Sequence, residues 1–206
     1  MNGRLSSSVA SLLAALALGG CRGFEPVRDA TRATLRPMAL AERLQAAVAD
    51  GHPFELELET PVLSGVFDAL CTADGDGHAL QLFPDVGGKV FELRFSAGGI
   101  DAWTPSGGYR AGPPLDDAEP HLALALAMLL AELLAPLDAE RLRGERGEGA
   151  GREVLMAPAL SAGQVTARLT EGGRIDALTV RLGYVEVALA SDGTFTGRGF
   201  RGALSP

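Results

Sequence analysis

The sequence predicts an α+β domain built on one curled antiparallel sheet with a helical lid. Three observations carry that expectation. From Pro53 onward, short segments alternate apolar and polar residues with a period of two. Tight turns such as Asp74-Gly75-Asp76-Gly77 and Gly172-Gly173 join them, which marks hairpins rather than parallel crossovers. The strand pattern is broken once, by a stretch around Leu122 to Leu134 that is apolar nearly all round. Such a helix is buried on most sides, in a core or under a curled sheet whose concave face it covers.

Arg22 to Arg36 is polar and mixed, and reads as a tether or as first helical turns. Pro37 suits a first helical position. Met38, Ala41, Leu44, Ala47 and Val48 then recur at helical spacing, and Gly51 closes the segment. Phe54, Leu56 and Leu58 alternate with Glu55, Glu57 and Glu59, giving a strand with one apolar and one acidic face. Strands follow at Leu63 to Ala73, His78 to Phe83, Lys89 to Ser96 and Ile100 to Thr104. Gly107 to Pro120 reads as a loop whose Asp116, Asp117 and Glu119 crowd a helix start, where the macrodipole favours negative charge. That helix runs to about Ala135, and Pro136 ends or kinks it. A polar turn to Arg143 and a charged, flexible loop over Gly144 to Gly151 come next. Strands resume at Glu153 to Ala157, Gln164 to Thr170, Arg174 to Leu182, Val185 to Ala190 and Thr194 to Phe200.

The start of the chain concerns location. Arg4 precedes an apolar run, Val9 to Leu18, and then Gly19-Gly20-Cys21, the order of a secretory signal peptide. Leu18-Gly19-Gly20-Cys21 resembles the lipobox of bacterial lipoproteins. The resemblance implies cleavage after Gly20 and a lipidated N-terminus at Cys21, anchored in a membrane. The expected organisation is therefore a signal peptide over 1–20, a lipidated N-terminus and tether over 21–36, and one domain over 37–206. Removal of the leader leaves 186 residues, enough for one sizeable core, with 17 basic and 26 acidic residues and a net charge of −9. That balance argues against nucleic acid as a partner and against sustained binding to anionic lipid by charge alone. Beyond the leader no apolar run approaches the roughly 20 residues of a membrane span.

Catalytic chemistry is not evident. His52, His78 and His121 lie far apart without metal-ligand spacing. Asp74-x-Asp76-Gly77 opens like a calcium loop but lacks the later ligands, and reads as a hairpin turn. There is no nucleophile elbow and no phosphate-cradling loop. Glu55, Glu57 and Glu59 suit a solvated face, and Trp103 and Tyr109 a cavity wall or core. With Cys21 lipidated, Cys71 has no partner in the chain and is expected as a buried, unreactive thiol. No metal, no cofactor and no enzymatic activity are expected.

The stretch from Pro84 to Ala118 carries a family likeness. Pro84-Asp85-Val86-Gly87-Gly88 precedes a strand, Ala97-Gly98-Gly99 a second, and Asp116-Asp117-Ala118 an acidic helix entry. In that order it resembles the LolB family, outer-membrane lipoproteins that receive other lipoproteins and insert them. The resemblance implies a half-open antiparallel barrel with a helical lid and an acyl-chain cavity. Val86 occupies the position of the family's membrane-contacting leucine, although Asp85 replaces a proline and valine is smaller. Strand alternation, together with the apolar helix, then nominates Phe91, Leu93, Phe95, Leu126, Leu178, Val180, Val185 and Val187 as cavity wall. The expected function is binding the acyl chains of lipids or lipoproteins, for lipoprotein insertion or lipid transfer. The protein would act as a monomer at the periplasmic face of the outer membrane. A scaffolding lipoprotein with a filled core and no ligand is the alternative, and a retained hydrophobic ligand separates the two.

Overall fold

The computed structural model describes residues 23–112, 115, 121–160 and 163–206. Cys21, the leader, and Asp116, Asp117 and Glu119 lie outside them. Three α-helices are described: α1 (Asp29–Thr34), α2 (Ala39–Asp50) and α3 (Leu122–Leu134). The strands are β1 (Phe54–Glu59), β2 (Ser64–Asp74), β3 (Gly77–Phe83), β4 (Phe91–Ser96), β5 (Gly99–Thr104), β6 (Gly107–Ala111), β7 (Leu142–Arg146), β8 (Glu153–Met156), β9 (Gln164–Leu169), β10 (Ile175–Leu182), β11 (Val185–Ala190), β12 (Thr194–Gly197) and β13 (Phe200–Ser205).

All thirteen strands form a single sheet in the order β6-β5-β4-β3-β2-β1-β13-β12-β11-β10-β9-β8-β7. Every pairing between them is antiparallel. The two halves of the chain are joined by β1 against β13, with Leu56 opposite Leu204. The end strands β6 and β7 do not pair with each other, so the sheet is open. Helix α3 nonetheless touches β4 and β5 on one side and β11 on the other. Strands that far apart in the order meet one helix only if the sheet curls around it, the sense in which twisted antiparallel sheets coil.

Burial follows the alternation. Phe54, Leu56 and Leu58 face inward and the three glutamates of β1 face out. Every residue of α3 from Ala123 to Leu133 is buried, so the helix is enclosed by the curl and by α2. Its C-terminal end is pinned twice. The Gln45 side chain donates to the carbonyls of Leu133 (2.8 Å) and Ala135 (3.3 Å). Glu132, itself buried, accepts from the Arg141 guanidinium and from the Ala159 backbone N–H.

Several boundaries differ from the sequence reading. Met38 caps α2, so Pro37 precedes the helix rather than opening it; Gly51 closes it in the left-handed conformation, φ 66°. Helix α3 begins at Leu122 behind His121, whose Nδ1 accepts from the Ala123 N–H at 3.1 Å. A side-chain cap, not carboxylates, satisfies that donor. Thr194 to Phe200 is two strands, because Gly199 (φ 82°) turns the chain back on itself. Gly107–Ala111 and Leu142–Arg146, read as loops, are the end strands β6 and β7. The turn or tether segment after Cys21 is held in place from Glu25 on. Glu25 and Glu145 exchange two backbone hydrogen bonds of 2.8 Å along β7, and Arg28 pairs with Glu145.

Candidate functional site

Antiparallel pairing sends alternate hairpin tips to opposite rims of the sheet. Following strand direction from β1, one rim carries the turns around Val62, Val86, Pro105, Tyr184 and Arg198. The other carries those around Gly75, Gly98, Glu148, Gly172 and Asp192. The two rims differ in chemistry. Val62, Val86 and Tyr184 sit at tips of the first rim, 83%, 89% and 86% exposed. Val66 and Trp103, the other exposed large apolar side chains described, lie on the outer face within three residues of that rim's ends of β2 and β5. The opposite tips present exposed acids instead: Asp76, Glu148, Glu171 and Asp192.

A groove of about 560 Å³ opens on the apolar rim. Pro61 and Val62 come from the β1–β2 turn, Leu122 from the start of α3, Tyr184 and Val185 from the β10–β11 turn, and Phe200 from β13. This size falls within the range of small-ligand sites. Its polar contributors are Thr60, His121, Glu186 and Arg198. Because the His121 Nδ1 accepts a backbone proton, its neutral ring carries hydrogen on Nε2. That ring stacks on Tyr109 at 4.3 Å. Glu186 is engaged by the Arg181 Nε at 2.7 Å. Arg198 is exposed and makes no ion pair among the described residues.

The nominated wall residues fall elsewhere. Phe91, Leu93, Phe95, Leu126, Leu178, Val180 and Val187 are all buried in one contiguous cluster. The alternation placed their faces correctly, but they pack among the core side chains around α3 instead of lining the groove. Leu178 also borders a narrow cleft of about 30 Å³ beside Glu132 and Arg141. Among the eight, Val185 reaches the groove. Val86 stands exposed at the β3–β4 tip, two sheet neighbours from Val62. The groove's other apolar residues left a weak trace in the sequence: Val62 after Thr60-Pro61 and Tyr184 after Gly183 are apolar side chains at turns, where polar ones are usual.

Cys71 is fully buried in β2, and burial pushes its thiol up to about 12, so it stays protonated and unreactive at neutral pH. The Asp74 to Gly77 segment forms the β2–β3 hairpin, with Asp74 opposite Gly77. Among the described residues no three His, Cys, Asp or Glu side chains lie close enough to hold a metal ion. No described helix is long and apolar enough to cross a membrane.

No family model matches this chain, and no curated protein does. Among solved structures it is similar to a LolA superfamily protein, NE2245 from Nitrosomonas europaea. The two are 7% identical with a TM-score of 0.40, over 81% of this chain and 89% of that one. The backbones agree loosely, and the functional reading rests on the groove and rims of this chain.

Proposed function

We propose that this protein is a lipid-anchored outer-membrane lipoprotein that binds acyl chains of lipids or lipoproteins in the rim groove and delivers them for insertion or transfer. Cys21 would carry the anchor, with the domain at the periplasmic face, acting as a monomer and without catalysis. The observation that supports the reading is the apolar groove itself, open on the rim that bears the exposed apolar tips. Each methylene buried gains about 0.8 kcal/mol. About ten methylenes would contribute ~8 kcal/mol before association costs, so single-chain affinities belong in the micromolar-to-millimolar range. A hydrophobic fluorophore should bind the domain and be displaced by fatty acid, and Leu122→Glu at the groove should weaken both. Binding unchanged by Leu122→Glu would remove the groove from the reading.

A scaffolding lipoprotein without ligand is the second reading. It is favoured by one observation, the complete burial of the nominated wall residues in a packed cluster. Native mass spectrometry of detergent-free protein distinguishes the two: added lipid mass supports the acyl-chain reading, and bare protein together with no fluorophore binding supports the scaffold.

A further inference from the structure

We infer that the segment from Phe24 to Arg36 is a releasable strap that, while docked, points the groove away from the membrane holding Cys21. The docked strap stands on its own contacts; only the direction of the membrane rests on the lipidation reading of Cys21. Both ends of the strap join the sheet through backbone. Glu25 and Glu145 exchange two hydrogen bonds of 2.8 Å. The Arg36 N–H donates to the Gly173 carbonyl and the Ile175 N–H to the Arg36 carbonyl, each at 3.0 Å. Between them Arg28 pairs with Glu145, and fully buried Thr31 accepts from the Arg152 Nη1 at 3.0 Å. The sheet leaves room for this path. A Cβ at Gly144 would stand 2.8 Å from the Phe24 Cβ, and one at Gly173 2.5 Å from the Thr34 carbonyl oxygen. Only glycine admits so close an approach, and a loose tether would require neither.

The seam under the strap is also where the buried polar bonding is incomplete. Among the described residues, the buried side-chain atoms without a hydrogen-bond partner are the Glu145 Oε2 and the Arg152 Nε. Both belong to residues that grip the strap, and an unmet buried polar atom costs free energy that water would return on release. The strap is therefore the element set to open locally while the sheet stays folded. Its docked position fixes the anchor. Gly23 lies beside the Arg146 end of β7, at the rim of the Glu148 and Glu171 tips, and Cys21 reaches only ~7 Å beyond it. The groove lies at the other end of the strands. β10 starts beside the strap at Arg36 and runs eight residues toward the Tyr184 tip, ~23 Å at ~3.3 Å per residue. A bilayer touching both ends would have to lie along the outer face of β7–β10. That face carries the ion pairs Arg146–Glu153 and Arg168–Asp176, and none of the exposed large apolar side chains described.

The test places a donor fluorophore on either rim of the membrane-extracted protein, through Tyr184→Cys or Glu171→Cys, in vesicles of phosphatidylethanolamine and phosphatidylglycerol carrying a headgroup acceptor dye. Cys71 is fully buried and stays unlabelled in the folded protein. Energy transfer from position 171 is expected to exceed that from position 184 roughly threefold or more, given the ~23 Å between the rims. Two variants release the strap. Gly144→Val suits a strand but collides with Phe24, and Glu25→Pro removes the N–H that donates to Glu145 without touching the sheet. Either should bring the two efficiencies together, with the β3 and β10 amides still protected from hydrogen exchange. Equal transfer from both rims in the unaltered strap overturns the inference, as does a rim difference that survives both release variants. Soluble Cys21→Ser protein tests the strap without the anchor: the Glu25 and Glu145 amides should exchange slowly, and rapidly after Gly144→Val or Glu25→Pro. Rapid exchange before either change overturns the docked strap. Slow exchange in a protein that does not hold to membranes through Cys21 removes the lipidation reading, and the orientation with it, while leaving the strap in place.

Discussion

Arg141→Ala should destabilise the domain by about 3–5 kcal/mol at pH 7, the usual cost of stripping the partner from a buried charge. Glu132 is 8% exposed, and its carboxylate accepts from Arg141 and from the Ala159 N–H. Arg141 is itself held by its Nε donating to the Ala157 carbonyl at 3.0 Å. Burial raises the Glu132 pKa above the ordinary glutamate range, against the pull of Arg141 and of the Ala159 N–H. A raised folded pKa contributes stability below the unfolded value near 4.3, and that contribution is lost as pH rises through the folded pKa. Removing Arg141 raises it further, so the penalty should grow from pH 4 to pH 8, by about 1.4 kcal/mol per additional unit. Paired replacement, Glu132→Leu with Arg141→Met, should cost far less than Arg141→Ala, because no charge is left buried. Urea unfolding of the three proteins across that pH range measures all of this. A penalty under ~1 kcal/mol at pH 7, or one independent of pH, would refute the reasoning. The result bears on function. With Glu132 and Gln45 pinning the C-terminal end of α3, any opening of the helix must occur at its groove end, beside His121 and Leu122.

Leu126→Ala should cost about 2–5 kcal/mol in unfolding free energy, since its side chain is 1% exposed in the core; a cost below 1 would show a loosely filled interior. Val86→Glu should change stability by no more than ~0.5 kcal/mol, as at other exposed sites, while reducing lipid transfer; a large drop in melting temperature would show that Val86 is structural. Cys21→Ser should move the protein from the membrane to the soluble periplasmic fraction on fractionation, and unchanged pelleting would count against lipidation. Gly23 enters alongside the Arg146 end of β7, toward the acidic rim, and the two residues from Cys21 span only ~7 Å. If anchor and apolar rim engage one bilayer together, the Glu25 and Glu145 amides should therefore lose hydrogen-exchange protection in the membrane-bound state, and retained protection would exclude that joint docking.

The sequence by itself determined what depends on local geometry. A period of two dictates which side chains share a strand face, so Phe91, Leu93, Phe95, Val180, Val185 and Val187 were legible as inward-facing before any pairing was known. An apolar run without a polar face announced a buried α3. The end strands were not legible. Gly107–Ala111 offers two glycines, and Leu142–Arg146 alternates charge with a glycine, so neither carries an apolar face; β7 exists because β8 and the Glu25 segment pair with it on either side. Nor did periodicity show whether inward side chains line a hollow or fill it. That depends on how closely the curl wraps α3, and here they pack around it. The apolar rim and its groove were decided by tertiary structure alone. Val62 and Tyr184 belong to opposite ends of the sequence and meet because β1 pairs with β13, bringing the two meanders into one sheet with a common strand direction. Strand pairing at long range is a property of the whole chain, and no local pattern of residues encodes which tips will share a rim.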